Sequence, residues 1–364
     1  MRGYQILISR LVYSISWFFL APEIPQLLEK FKAPPSIAGI IPLSFFAATA
    51  VMQLPSALLS SKLGMKRSYA LGLSFMGLGD VLIGFSSSTW ELLLFYVIVG
   101  IGASLFFSSA GGTLALLNKS NVTPILGLYN TLFSIGGVVG VSWGVVSSVL
   151  GFSTSAIALG VVTFLCGFST MLTDYPNAMP NISIIKNRNT IILAIGTSGV
   201  WGSYFTISEL FPFFENQVFM RSPITEGLLS SILLISSSIG GLSTFIIHKW
   251  RVSTMTKIVV TAILSISPTL MLYSQVYLAG FVLIGFFNEL CLSLIYGYVV
   301  SFSPLTNSSI PLAEVNSIQI GLGMMLLLSS FLPLSLIWIT VVVISLAELA
   351  VLLAIGGSRS TSSL

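Results

Sequence analysis

Residues 277–301 read YLAGFVLIGFFNELCLSLIYGYVVS, a run of 25 residues in which Glu289 is the one charged side chain. A helix needs about 20 predominantly apolar residues to cross the hydrocarbon core of a bilayer, so this stretch predicts a membrane-spanning helix. Similar runs fill most of the chain and predict an all-α integral membrane protein with about twelve spans. We place them near residues 4–27, 36–60, 68–86, 89–116, 124–149, 154–173, 190–213, 226–248, 255–274, 277–301, 313–333 and 334–356.

The composition of the 364-residue chain agrees with this prediction. Hydrophobic residues make up 55% of the sequence and charged residues only 7%, with a mean hydropathy of +0.99. A water-facing surface cannot be built from so few charges, because soluble proteins carry roughly 25%. The basic residues lie in short, separate loops, so the net charge of +4 does not predict nucleic-acid binding. The single histidine and two separated cysteines, Cys166 and Cys291, predict neither a metal site nor a disulfide.

The loop charges predict an orientation. The first span is interrupted by Arg10 and no small-residue cleavage site follows it, so we expect it to be retained rather than removed as a signal peptide. Lys and Arg accumulate on the cytoplasmic side of membrane proteins, which favours both termini in the cytoplasm and a multi-pass protein of the plasma membrane. The basic residues then on the cytoplasmic side are Arg2, Lys62, Lys66, Arg67, Lys119, Lys186, Arg188, Lys249, Arg251, Lys257 and Arg359, against Lys30, Lys32 and Arg221 outside.

The chain contains an internal repeat. A shift of about 187 residues places Ser16–Ala21 over Ser203–Ser208, Pro25 over Pro212 and Lys62 over Lys249. Repeated halves are common in transporters. We therefore predict an N-terminal six-helix bundle over 1–173, a cytoplasmic linker over 174–189, a C-terminal six-helix bundle over 190–356 and a cytoplasmic tail over 357–364.

Two pseudo-symmetric bundles of six helices resemble the major facilitator superfamily, and the loop between the second and third spans tests the resemblance. The family pattern there is G-x-L-x-D-R-x-G-R-K/R, and this chain reads ALLSSKLGMKR over residues 57–67. Lys62, Gly64 and Lys66 fit the pattern, and Arg67 follows them. Ala57 replaces the first glycine and Ser61 replaces the aspartate, so the charge relay of this conformational loop is incomplete.

The fourth and fifth spans give a second test. Gly127, Gly136, Gly140 and Gly144 keep the spacing of G-x8-G-x3-G-P-x2-G-G, a pattern of family antiporters, without its proline and last glycine. Small residues four apart let helix backbones approach closely, so we interpret them first as helix-packing glycines. The fourth span keeps only the glycines of R-x-x-Q-G-x-G and lacks its arginine.

The resemblance implies a central cavity lined by spans one, four, seven and ten. On the first span Arg10, Ser14 and Trp17 share a helix face. The remaining candidates from the cavity-lining spans are Tyr96, Trp201, Phe205, Glu209 and Glu289. Ordinary bundle packing is the alternative for each aromatic residue.

The charged candidates each have a structural alternative. Glu289 is the preferred proton or cation-coupling residue, although it could instead contact a polar group on a neighbouring helix. Arg10 either reaches the headgroups or binds an anion or an acid. Asp80 in the third span is expected to have a structural partner rather than a substrate contact, and Glu314 is expected to cap the start of the eleventh span.

These features predict a secondary active transporter that moves a small organic solute by alternating access. We expect it to be ion-coupled, to work as a monomer and to need no cofactor beyond a coupling H+ or Na+. The sequence contains no P-loop, and its polar residues form no catalytic constellation, so an enzyme is not expected. The alternative is a transporter-like sensor or scaffold without transport activity, which the incomplete loop motif favours.

Overall fold

A computed structural model describes residues 3–181, 187–219 and 223–357. Within these residues the regular secondary structure is helical. Four basic residues used to predict the orientation, Arg2, Lys186, Arg221 and Arg359, lie outside the described residues, as does the tail beyond residue 357.

The described helices form twelve spans, six on either side of the linker. Those of the first half are Tyr4–Phe18 with Ile24–Lys30, Ile40–Leu63, Met65–Gly84, Thr89–Leu117, Val122–Val141 with Trp143–Leu150, and Phe152–Met171. Those of the second half are Arg188–Gly196 with Ser198–Phe219, Pro223–Ile247, Thr254–Ile266, Tyr277–Val300, Ser309–Gly323 and Ile337–Gly357.

Most of these spans are apolar enough to cross a bilayer on their own. Ten helices meet that requirement, and the pair Arg188–Gly196 and Ser198–Phe211, bent by 42°, makes an eleventh. The remaining span, Met65–Gly84, is less apolar because it carries Lys66, Arg67 and Asp80. The prediction of an all-α membrane protein with about twelve spans is confirmed.

Breaks in the helices lie where the backbone chemistry requires them. The first span changes to a 3-10 turn at Ala21–Glu23, where Pro22 and Pro25 remove backbone donors.

The eleventh span begins at Ser309 rather than near residue 313. The prediction that Glu314 caps this helix is therefore wrong, because Glu314 lies inside the helix and is buried.

The repeat is visible in the helix positions. Corresponding spans of the two halves begin 183 to 189 residues apart along the chain. Spans one and seven are also both interrupted, at Leu20–Glu23 and at Thr197.

The two halves pack against each other along spans two, four and five of the first half and spans eight, ten and eleven of the second. Gly127 in span five lies against the Gly241 backbone in span eight, so that a methyl group on Gly127 would lie 2.9 Å from the Gly241 oxygen. The Ser308 hydroxyl donates to the Gly112 carbonyl at 3.2 Å, and the Ser317 hydroxyl donates to the Ala50 carbonyl at 2.8 Å. These contacts enclose a central cavity at the interface.

Candidate functional site

The central cavity lies between the two halves and is lined by spans one, four, five, seven, ten and eleven. The first half contributes Arg10, Tyr13, Trp17, Phe107, Asn130 and Phe133, and the second half contributes Trp201, Phe205, Glu289, Leu292, Tyr296 and Asn316. The two charged residues come from opposite halves. A movement of one half against the other would therefore change the distance between the two charges.

In this conformation the cavity is nearly filled by its own side chains. The free volume of the cavity is about 20 Å³, roughly what one or two water molecules require. Aromatic contacts close it from two directions, because the ring centroids of Phe46 and Trp201 lie 5.2 Å apart and those of Phe107 and Tyr296 lie 5.5 Å apart. The structure is thus an occluded conformation.

Arg10 lies within a cage of aromatic rings. Its guanidinium carbon is 4.2 Å from the Tyr129 ring centroid, 4.4 Å from Phe133, 4.6 Å from Tyr13 and 5.2 Å from Phe107. The side chain is only 3% exposed, so it does not reach the headgroups, and the snorkelling alternative is wrong. The cage holds the guanidinium in place from several sides.

The cage alone does not replace the hydration that Arg10 loses. Nε and Nη1 have no hydrogen-bond acceptor among the described residues, and the hydroxyl groups of Tyr13 and Tyr129 lie beside the guanidinium. A cation–π contact contributes about 0.5–2 kcal/mol, whereas burying an ion costs several kcal/mol. Arg10 therefore favours a negative charge nearby.

Glu289 is the carboxyl group that lines the same cavity. It is 2% exposed, and its Oε2 accepts a hydrogen bond of 3.2 Å from the Ser134 hydroxyl in span five. No ion pair within 4 Å joins the described residues Arg10 and Glu289. The adjacent Asn288 turns away, since its amide donates to the Val200 carbonyl at 2.6 Å.

The aromatic candidates of spans one and seven meet in the cavity. Trp17 and Phe205 have centroids 5.5 Å apart, and Trp201 stacks on Phe205 at 4.2 Å. The Trp17 indole Nε1 is buried and has no acceptor among the described residues. These rings give the cavity an apolar wall with one free donor.

Four other candidates do not line the cavity. The Ser14 hydroxyl donates to the Phe133 carbonyl, and the Tyr96 hydroxyl donates to the Trp17 carbonyl at 2.8 Å. Asp80 accepts a hydrogen bond of 2.6 Å from Ser16, a structural partner in span one. Glu209 is 1% exposed and also lies outside the cavity lining, so its role as a coupling candidate stays a prediction.

The conformational loop between spans two and three is closed by the linker. Gly64 has a φ of +86°, a conformation that glycine adopts without strain, and the side chain of Asn177 lies directly over it. The Asn177 amide donates to the Leu63 carbonyl at 2.8 Å and accepts from the Arg67 amide at 3.4 Å. An amide from the linker thus supplies hydrogen bonds in a loop whose own acidic residue is absent.

The remaining loop candidates surround this contact. The Lys66 ammonium donates to the carbonyls of Thr173 and Met171, while Lys62 is exposed. Ala57 packs instead against the second half, in a small cluster with Ile310 and Ala313.

The glycines of span five serve two different contacts. Gly127 meets span eight, as described above, whereas Gly136 and Gly140 meet span one. A methyl group at Gly136 would collide with the Leu11 carbonyl, and one at Gly140 would lie 2.7 Å from the Phe18 Cβ. Gly144 lies beyond the break at Ser142, in the short helix Trp143–Leu150.

Comparison with known proteins identifies the family. A sequence model of the Major Facilitator Superfamily matches residues 6–319. The chain belongs to this superfamily. It is a multi-pass membrane protein of a family of transporters, with a cavity between its two halves.

Two curated relatives are each 24% identical to this chain. One is an uncharacterised MFS-type transporter of Methanocaldococcus jannaschii, matched over 172 residues, 47% of this chain and 43% of the relative. The other is the multidrug efflux protein YfmO of Bacillus subtilis, matched over 200 residues, 53% of this chain and 50% of the relative. The match to this chain spans about half the length of each relative.

A solved structure of the superfamily shares the whole fold. The human organic anion transporter MFSD10 superposes with a TM-score of 0.73 at 13% sequence identity, covering 96% of this chain and 98% of that chain. The likeness therefore extends over both halves.

Several cavity residues of this superfamily member were missed by sequence reasoning. Tyr13 lies three residues after Arg10 and could have been found by the same helical spacing. Asn130, Phe133 and Asn316 come from spans five and eleven, which were not expected to line the cavity. The polar residues Asn130 and Asn316 within apolar runs were the available signal.

Proposed function

We propose that this protein is a secondary active transporter that moves a small organic solute by alternating access. The observation that carries the proposal is the occluded cavity, which is lined from both halves and holds buried polar groups at its centre. Rocking of one half against the other would open the cavity to one side of the membrane at a time. No ATP is required, because the energy comes from an ion gradient.

The proposed coupling ion is H+ or Na+, and Glu289 is the residue we assign to it. A buried carboxyl group binds a proton or a cation more readily than it remains charged and unpaired. Among the described residues no cluster of His, Cys, Asp and Glu could hold a metal ion. Exchange of one proton or one Na+ at Glu289 is sufficient to couple transport to the ion gradient.

The proposed cargo is a weakly polar or aromatic organic solute. Trp17, Trp201, Phe133 and Phe205 provide stacking surfaces. The relative YfmO of Bacillus subtilis is a multidrug efflux protein. Such rings favour a cargo with its own apolar body.

We propose a plasma-membrane location with both termini and the linker in the cytoplasm, and a protein that works as a monomer. Exposed Lys62 beside the linker should be cytoplasmic, and exposed Lys30 should be extracellular. Single Lys30→Cys and Lys62→Cys variants, made after Cys166→Ala, test this with a membrane-impermeant maleimide on intact cells. Labelling of position 30 is expected, and labelling of position 62 alone would reverse the orientation.

Transport itself is tested in liposomes containing the purified protein. We expect uptake or release of at least one member of a broad panel of aromatic acids, amines and neutral compounds under an imposed proton or sodium gradient. Glu289→Gln should lose the gradient-driven flux while remaining folded, and Asp80→Asn, a buried acid that is bonded to Ser16 outside the cavity, is the matched control. A sensor or scaffold would move no compound and would be indifferent to either substitution.

A further inference from the structure

The buried polar atoms of the cavity lining that have no partner among the described residues are hydrogen-bond donors. Arg10 Nε and Nη1, Trp17 Nε1 and Asn316 Nδ2 are all buried and have no acceptor among the described residues. The Asn130 amide, by contrast, already donates to Ser293 at 3.3 Å. Buried polar groups are normally paired, so a set of free donors around one cavity indicates a bound group that only accepts hydrogen bonds.

The cage around Arg10 defines where that group binds. Four rings cover the guanidinium, yet its Nε and Nη1 edge remains without an acceptor. A planar guanidinium binds a carboxylate through two parallel, charge-assisted hydrogen bonds, which are stronger than those between neutral groups. The aromatic wall formed by Trp201 and Phe205 lies across the same cavity and can hold the body of the ligand.

Glu289 completes the charge balance of the cavity. The charged and titratable groups near it are Arg10 and Tyr13 from span one, Tyr129 from span five, Tyr204 from span seven and Tyr296 from its own helix. Spans four and eleven contribute the uncharged Phe107 and Asn316. With neutral tyrosines, Arg10 and an ionised Glu289 cancel each other.

An anion that binds Arg10 would disturb this balance unless Glu289 takes up a proton. The cavity would then hold one cation and two anions in a closed, poorly hydrated space. If Glu289 is protonated as the anion enters, the net charge remains zero in both states. The proton comes from the water on the side to which the cavity is open.

We infer that the central cavity binds an organic monoanion with an aromatic or apolar body, whose carboxylate rests on Arg10 while Glu289 carries a proton. This inference rests on the proposed transport function and specifies its cargo. One anion and one proton occupy the cavity together and leave it together. The net charge of the loaded cavity is therefore zero, as it is in the empty cavity.

The inference is tested by binding, measured separately from transport. The probes are benzoate, phenylacetate and 2-naphthoate, each compared with the amide and the amine of the same ring. Binding to the purified full-length protein is followed by quenching of tryptophan fluorescence, because Trp17 and Trp201 line the cavity, and by the shift of the thermal unfolding midpoint. Carboxylates are expected to bind, and to bind about tenfold more tightly near pH 5.5 than near pH 7.5.

Variants at two residues test the roles assigned to the two charges. Arg10→Gln should weaken carboxylate binding by about 100-fold or more, and Arg10→Lys should recover only part of it because the planar fork is lost. Glu289→Gln imitates the protonated carboxyl group, so it should keep tight carboxylate binding at both pH values. Asp80→Asn, at a buried acid that is bonded to Ser16 outside the cavity, should retain the pH dependence of the unsubstituted protein.

Three results would overturn the inference. One is preference for the amines or amides over the carboxylates, another is carboxylate binding that survives Arg10→Gln, and the last is an unchanged pH dependence in Glu289→Gln. Transport of an amine in liposomes would leave the transport function standing and reject the anion. Binding of carboxylates without any flux would reject transport and retain the anion site.

Discussion

Residues 10 and 197 occupy the same place in the two halves of the molecule, about 187 positions apart, but one is arginine and the other threonine. The same shift relates Glu289 in the second half to Gly102 in the first. Thr197 and Gly102 have structural contacts instead of charges. The Thr197 hydroxyl accepts from the Gln319 amide at 2.7 Å, and Gly102 packs against the backbone of span three.

This difference separates the scaffold from the site. The repeat explains why six helices recur at corresponding places along the chain. The two charges of the cavity lie at positions where the two halves differ. Each half contributes one charge and therefore cannot balance it alone. The predictions below test whether equivalent positions have different roles, beginning with the largest effect.

Arg10 and Thr197 should respond to substitution in opposite ways. Arg10→Gln removes the buried positive charge, so we expect the rate of solute transport in liposomes to fall about 100-fold. Thr197→Val removes the hydrogen bond with Gln319, so we expect a loss of about 1 kcal/mol in the free energy of unfolding and a transport rate close to that of the unsubstituted protein. Equal losses of transport at both positions would mean that the two halves contribute alike.

Gly102 and Glu289 form the second contrast, between packing and charge. A methyl group at Gly102 would lie 2.5 Å from the Gly72 carbonyl oxygen and the Met76 nitrogen, both backbone atoms that cannot rotate away. Gly102→Ala should therefore lower the free energy of unfolding by about 1–3 kcal/mol, measured by denaturation in mixed micelles. For Glu289→Gln we expect only a small change in that free energy. The same variant should lose the pH dependence of carboxylate binding.

Gly111 provides the matched control in the same helix. Its nearest contact from a new methyl group would be the end of the Leu312 side chain at 3.3 Å, which can move. Gly111→Ala should leave the unfolding free energy nearly unchanged. If both alanine variants had the same free energy of unfolding, close packing of spans three and four would not explain why residue 102 is a glycine.

The sequence predicted the span number and the repeat because both follow from the length of apolar runs. A bilayer fixes how long such a run must be, and the shift of about 187 residues aligns prolines and basic loops as well as apolar residues. The structure preserves this spacing to within a few residues. Boundaries near residue 313 were wrong because residues 309–312 are apolar or small and carry no helix-start signal beyond Ser308 and Ser309.

The faces of the spans were much harder to predict. Spans four and ten are apolar on all sides, so periodicity does not distinguish the cavity face from the packing face. Tyr96 was therefore expected at the cavity but bonds to the Trp17 backbone. Asn130, Phe133 and Asn316 reach the cavity from spans five and eleven because of how the two halves meet, which local sequence does not encode.

The smallest predicted effect concerns two equivalent loops, one in each half. In the first half, the linker residue Asn177 and the Ala178 carbonyl hold the loop at Gly64. In the second half, the Lys257 ammonium of the loop's own following helix donates to the carbonyls of Trp250 at 2.8 Å and His248 at 3.3 Å. The first loop is thus tied to the linker, and the second is closed locally.

Asn177→Ala should therefore loosen only the first loop. Losing hydrogen bonds of this kind costs about 1 kcal/mol, which corresponds to roughly fivefold faster hydrogen exchange for amides that open locally. Exchange measured by mass spectrometry should rise in a peptide covering residues 63–68 and stay constant in one covering 249–254. Asn121→Ala, which removes an exposed amide bonded only to Ser120, is the control and should alter neither peptide. Faster exchange in both peptides would show that Asn177 supports the bundle as a whole, whereas the restricted effect would make the linker the part that closes the loop whose aspartate is missing.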